Sequence, residues 1–241
     1  MREPLLLLHG FAGTGRTWDG VIEHVDEGAY VPLAPDLRGH GEAAHERPVD
    51  GAHAVADVLA AAPQEPFVLA GYSLGGRVAL RAALAAPERV SRLVLVATTA
   101  GIEDPAERAA RLAADTALAE RLRTAPGDAW VRVWTGQPIF AGTPPEAARV
   151  WEEDLRRNDP AGLAEALVGL SGGAMAPVWD RLGELTMPVT IVVGERDAKF
   201  RALGDRLATA LPGARAPVVV PGAGHGLPRE APAALAAALQ A

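Results

Sequence analysis

Six short apolar runs, separated by stretches long enough for helices, constrain this chain more than any other feature. They fall at residues 4–8 (PLLLL), 30–34 (YVPLA), 67–70 (FVLA), 93–96 (LVLV), 189–193 (VTIVV) and 216–220 (APVVV). A strand with one wet face alternates apolar and polar residues. A nearly continuous apolar run suits a strand covered on both faces, as in a parallel sheet. Parallel neighbours need crossover connections, and the Ala- and Arg-rich segments at 78–86 and 202–211 read as right-handed crossover helices. The expectation is an α/β fold, a mostly parallel sheet flanked by helices. With 241 residues, one such domain is sufficient, burying roughly three quarters of the unfolded surface.

Residues 98–186 break this rhythm. The segment holds four of the five tryptophans and no convincing strand. Asp104-Pro105-Ala106-Glu107 reads as a helix start, with Asp104 as N-cap and Pro105 in the first turn, and that helix could run to about Arg123. Residues 1–97 and 187–241 therefore read as the core. Residues 98–186 read as a helical lid inserted between two strands, over the carboxyl ends where open α/β sheets form pockets.

The chemistry centres on Gly71-Tyr72-Ser73-Leu74-Gly75. Strand pattern precedes it and helix pattern follows, the context in which a serine between two glycines is held on a sharp turn with its hydroxyl exposed. Such a hydroxyl needs a base beside it at neutral pH. His225, in Pro221-Gly222-Ala223-Gly224-His225-Gly226, follows the last strand in a glycine-rich loop and can reach the elbow. His9 reads as a structural partner of its own loop, His40 as a possible member of the same face, and His24, His45 and His53 as surface residues. The acid that orients the base should end the preceding strand. There Asp197 is preferred and Glu195 is the fallback, giving the order Ser73, Asp197, His225. An oxyanion needs two backbone N–H donors, one from Leu74 and one from the loop after the first strand, for which Phe11 is the choice.

Arg77 follows one helical turn after Ser73. A cation there opposes the helix dipole, and arginine is rarely buried unless paired. It requires an anion, either an internal Asp or Glu or a carboxylate on a substrate. Lys199 is the one lysine in the chain, so nearly all positive charge sits on arginine forks, which hold carboxylates bidentately. A net charge of −7 with no basic run argues against nucleic acid and anionic membrane surfaces. The absence of cysteine excludes disulfides, thiolate metal sites and cysteine nucleophiles, and no metal or other cofactor is expected. The leading leucines are too few for a signal peptide and no run approaches a membrane span, so a cytoplasmic protein is expected.

Leu8-His9-Gly10-Phe11, Asp36-Leu37-Arg38-Gly39-His40-Gly41, Gly71-Tyr72-Ser73-Leu74-Gly75-Gly76-Arg77 and Gly194-Glu195-Arg196-Asp197-Ala198-Lys199-Phe200 resemble a branch of the α/β hydrolases. That branch is the 2-succinyl-6-hydroxy-2,4-cyclohexadiene-1-carboxylate (SHCHC) synthases of menaquinone biosynthesis. In the lid, Glu107-Arg108-Ala109-Ala110-Arg111 and Trp134-Thr135-Gly136-Gln137-Pro138-Ile139-Phe140 resemble the same family. The resemblance implies an α/β-hydrolase fold whose leading hairpin is absent here, and a lyase that removes pyruvate from an enolpyruvyl cyclohexene. That substrate is a small tricarboxylate. Arg77, Arg111 and Arg156 are implied as the arginines that bind it, with Arg157 as the alternative to Arg156. Tyr72 and Trp134 are implied as pocket residues, although Trp134 also reads as lid core. Arg38 stands where many relatives carry proline. A carboxylesterase or carbon–carbon bond hydrolase on the same triad is the first rival, and a catalytically idle binding protein the second.

Overall fold

The computed structural model describes residues 2–241. Its six strands are β1 (Glu3–Leu8), β2 (Tyr30–Leu33), β3 (Phe67–Tyr72), β4 (Val90–Val96), β5 (Val189–Gly194) and β6 (Val218–Val220). They form one sheet in the order β2-β1-β3-β4-β5-β6, parallel at every pairing. Each of the six apolar runs supplies one strand.

The continuous runs are explained by cover on both faces. Leu6 and Leu8 of β1 join Leu69, Leu93 and Leu95 in one core cluster, whereas Leu5 and Leu7 join Val68, Val94 and Val96 in the other. Central strand β3 is buried along its whole length. The rule fails at the two edges. Leu33 of β2 and Val218 and Val219 of β6 are exposed, because an edge strand has a neighbour on one side only.

The helices, in chain order, are α1 (Asp19–Ile22), α2 (Gly51–Ala61), α3 (Leu74–Ala85), α4 (Pro105–Thr124), α5 (Ala129–Thr135), α6 (Pro145–Leu155), α7 (Pro160–Gly169), α8 (Ala198–Ala210), α9 (Leu227–Glu230) and α10 (Pro232–Leu239). Helices α2, α3 and α8 cover one sheet face, and α1 and α10 cover the other. Helices α4 to α7 all lie between β4 and β5. They share a separate cluster containing Leu122, Trp130, Trp134, Trp151, Leu155 and Leu163. Asp104 caps α4 by accepting a hydrogen bond from the Glu107 amide at 2.8 Å, and Pro105 begins the helix.

Arg38 has a structural partner. Its fork donates to Asp57 of α2 at 2.7 and 2.8 Å, and its third nitrogen to the Pro48 carbonyl at 3.2 Å. The arginine thus ties the loop after β2 to α2.

Candidate active site

Ser73 sits between β3 and α3 with φ +52°, the left-handed region that a non-glycine residue occupies only when its surroundings enforce it. The Ser73 amide donates to the Val96 carbonyl at 2.9 Å, and its own carbonyl accepts from Thr98 Oγ1 at 2.7 Å. The flanking glycines are steric requirements. A Cβ on Gly71 would lie 2.4 Å from the Gly75 carbonyl oxygen, and one on Gly75 would lie 2.2 Å from that of Leu8. The backbone is thereby committed, and the Ser73 hydroxyl caps nothing.

That hydroxyl meets His225. Ser73 Oγ lies 3.1 Å from His225 Nε2, and His225 Nδ1 lies 2.7 Å from Asp197 Oδ2. A carboxylate only accepts, so Nδ1 carries the proton and Nε2 is left to accept from the serine. The other Asp197 oxygen accepts from the Phe200 amide at 3.2 Å, capping α8. Glu195, the alternative acid, is exposed and accepts instead from the Gly222 amide at 2.8 Å.

The amides of Phe11 and Leu74 donate to no other described residue, and both residues line a cavity of about 830 Å³ above Ser73. Tyr72 and Trp134 line it too. Burial pushes the Tyr72 phenol well above its ordinary range, so it stays a neutral hydroxyl. The Trp134 indole N–H is buried without a partner among the described residues, while its ring lies 4.5 Å from that of Phe11 and 5.7 Å from that of Phe140. Trp134 is therefore both cavity wall and insertion core.

Arg77 lines the cavity, is half-buried, and forms no ion pair among the described residues. Its guanidinium donates to Met175 Sδ at 3.4 Å and to no other described residue. Burial, with repulsion from Arg81 and Arg111 that attraction to Asp115 offsets only in part, pushes its pKa down to about 9, so it remains a cation at neutral pH. Arg111 also lines the cavity. It spends Nε on Asp115 at 2.8 Å, leaving both terminal nitrogens without a hydrogen bond to any described residue.

Arg156 is not brought to this cavity. It caps the end of α6 on the outside, where exposed ion pairs to Asp128 at 3.1 Å and Glu152 at 3.0 Å hold it. The adjacent Arg157 does not line the cavity either. Lys199, Arg206 and Arg229 do, and sequence reasoning assigned none of them a role. Two of these were visible as a pattern, since Lys199, Leu203 and Arg206 recur at helical spacing on α8 and all three line the cavity.

His40 is buried behind Phe11 and does not line the cavity. His9 is fixed as the neutral tautomer, donating to the Gly10 carbonyl at 2.8 Å and accepting from the Leu37 amide at 2.9 Å. His24, His45 and His53 are exposed. Among the described residues, no group of three or more His, Asp or Glu could hold a metal ion, and no helix is long and apolar enough to cross a membrane.

A serine on a strained turn, a histidine tautomer set by a buried acid and two idle amides form one constellation, carried by the ends of β1, β3, β5 and β6. A model described as the alpha/beta hydrolase family matches residues 5–238. The chain belongs to the alpha/beta hydrolase family. Its all-parallel six-stranded sheet with flanking helices is the α/β-hydrolase fold. Among curated relatives, the 2-succinyl-6-hydroxy-2,4-cyclohexadiene-1-carboxylate synthase of Escherichia coli O1:K1 / APEC is 35% identical over 239 residues, covering 98% of this chain and 91% of that protein. Among solved structures, MenH from S. aureus superposes with a TM-score of 0.90 at 28% identity, covering 99% of this chain and 92% of that one. A thermophilic esterase from Thermogutta terrifontis, solved with malate bound, superposes with a TM-score of 0.79 at 26% identity, covering 99% and 88%.

Proposed function

We propose that this alpha/beta hydrolase family member is an SHCHC synthase, a carbon–oxygen lyase that eliminates pyruvate from 2-succinyl-5-enolpyruvyl-6-hydroxy-3-cyclohexene-1-carboxylate. The observation that carries this reading is Arg77, a cation one turn above the Ser73 hydroxyl with no acid partner of its own. An ester of a neutral acid has no use for such a group, whereas a substrate with three carboxylates does. The likeness to the E. coli synthase over nearly the full chain supports the same reading.

In this mechanism His225 draws the proton from Ser73 Oγ, with Asp197 fixing the imidazole and stabilising its charged form. The serine oxygen then takes a proton α to the succinyl carbonyl. The electron pair moves onto that carbonyl oxygen, and the enolate is held by the Phe11 and Leu74 amides. Collapse of the enolate shifts the ring double bond and breaks the ring carbon–oxygen bond, and the departing enolpyruvate takes the proton back from the His225 imidazolium and tautomerises to pyruvate. No acyl-enzyme forms. General-base and oxyanion contributions of this kind are each worth roughly 10²- to 10⁴-fold in rate.

Arg77 and the two free nitrogens of Arg111 hold substrate carboxylates in this scheme. Arg156 does not line the cavity, so in this scheme the third partner comes from the α8 wall, where Lys199 and Arg206 are the cations. Arg206 is already paired with Glu103 and stacked over Trp179 at 3.8 Å, so Lys199 is the freer of the two. Residues 98–186 act as the lid of this pocket.

The triad alone equally suits a serine esterase, and the likeness to the Thermogutta esterase favours that as the second reading. Turnover of p-nitrophenyl esters separates the two. The lyase reading expects poor ester turnover, and Ser73→Ala lowering kcat on the tricarboxylate by at least about 10³-fold. Efficient ester hydrolysis with no activity on the tricarboxylate would establish the esterase instead.

A further inference from the structure

The loop that delivers His225 is held within itself by two backbone bonds, from the Ala223 amide to the Val220 carbonyl at 3.4 Å and from the Leu227 amide to the His225 carbonyl at 2.9 Å, and neither uses the amides flanking the histidine. Glycine precedes and follows the histidine, and Gly222 at φ +68° turns the chain into the loop; glycine has the widest backbone freedom of any residue. Nevertheless Ser73 and His225 stand 3.1 Å apart, a spacing that sub-ångström displacement would spoil. Something outside the triad has to hold the loop.

We propose that Glu230 is a positioning residue for His225. Its carboxylate accepts from the Gly224 amide at 2.7 Å and from the Gly226 amide at 3.1 Å, the two amides on either side of the histidine. Its side chain is only 3% exposed, and a third bond, from Arg196 Nη2 at 2.7 Å, balances its charge. Arg196 is itself anchored, donating to the Gly222 carbonyl and to the Gly142 carbonyl, both at 2.8 Å. Gly226 follows from this close approach, since a Cβ there would lie 2.9 Å from the Glu230 carboxylate.

Glu230 does not line the cavity, so it has no means of touching a substrate. Its influence passes through the backbone that aims the imidazole, and a misplacement of about 1 Å in such a group costs on the order of 10²-fold in rate. Glu195 holds the Gly222 amide at the opposite end of the loop. Glu230 alone brackets the histidine.

The test uses Glu230→Gln, which keeps the shape but replaces one accepting oxygen by a donor. The expected result is a kcat lowered by about 10- to 100-fold with KM within about twofold of wild type. The rate at which a fluorophosphonate modifies Ser73 should fall by the same factor. That second reading needs only the serine and its base, so it stands apart from the substrate proposed above. If the wild type is labelled at Ser73 but releases no pyruvate, the substrate assignment fails and labelling alone decides Glu230. Arg196→Met, which removes the third bond together with the bonds to the Gly222 and Gly142 carbonyls but leaves both Glu230–amide bonds in place, should lower kcat and labelling in the same direction by a smaller factor. It carries the test if Glu230→Gln does not fold. Labelling and kcat per folded enzyme matching wild type in the soluble variants would overturn the proposal, as would a raised KM with kcat unchanged.

Discussion

Arg77 is the residue at which stability and function pull apart. A half-buried guanidinium with no acid partner, crowded by Arg81 and Arg111, costs the folded state free energy. A substrate carboxylate beside it would gain a charged hydrogen bond worth roughly 1.5–3 kcal/mol. Arg77→Met should therefore lower kcat/KM by roughly 10- to 100-fold while leaving the thermal midpoint unchanged or higher. A lowered midpoint with kcat/KM intact would show that Arg77 serves the fold. The position of Arg77 could be read from the sequence because helix spacing fixes it relative to Ser73. The triad was legible for a related reason, since strand ends and chain order restrict which histidine and acid can meet the elbow. Arg156 was not legible, because a motif match gives a place on a helix but not the side to which that helix turns it. A hint was present in Glu152, four residues before Arg156 and its partner in the structure.

At the scale of elements, the buried contact between α6 and α9 holds the inserted helices to the core. Asp154 of α6 accepts from Arg229 Nη2 at 3.0 Å, from Thr17 Oγ1 at 2.9 Å and from the Thr14 amide at 3.2 Å. Both side chains of the ion pair are almost fully buried. Asp154→Ala would leave Arg229 buried without its acid, and should cost roughly 3–5 kcal/mol in urea unfolding. Adding Arg229→Met should recover much of that loss. A loss below about 1 kcal/mol would mean that water or another group takes over the cation. The six strands and the start of α4 were legible because apolar runs and caps are local signals. The Asp154–Arg229 pair was not, since these residues are 75 positions apart and nothing in the local pattern of either one names its partner. The start of α3 at Leu74, immediately after the serine, entered the sequence reading only as the condition that the helix begins at the elbow. It depends on the positive φ of Ser73, which tertiary packing imposes.

The whole molecule carries an acid sensitivity of its own. Burial and the neighbouring His9 push the His40 pKa from 6.5 down to about 3, and burial lowers that of His9 as well. Both imidazoles fold in the neutral form, so below about pH 6.5 the unfolded chain binds more protons than the folded one. For His40 this stability is fully present above pH 6.5 and declines as pH falls towards 3, by up to roughly 1.4 kcal/mol per pH unit, and His9 contributes in the same direction. Urea midpoints measured between pH 7.5 and pH 5 should fall steeply, and His40→Leu should make that slope shallower. An identical slope in the variant would place the titrating group elsewhere. The fold and the triad do not choose between lyase and esterase; the lyase assignment rests on the unpaired cation beside Ser73 and on the likeness to the E. coli synthase. The most direct measurement of that claim is pyruvate release from 2-succinyl-5-enolpyruvyl-6-hydroxy-3-cyclohexene-1-carboxylate, followed through lactate dehydrogenase. The account predicts one pyruvate for each SHCHC formed, far above the spontaneous rate and abolished in Ser73→Ala. Pyruvate appearing no faster than in the absence of protein would contradict it.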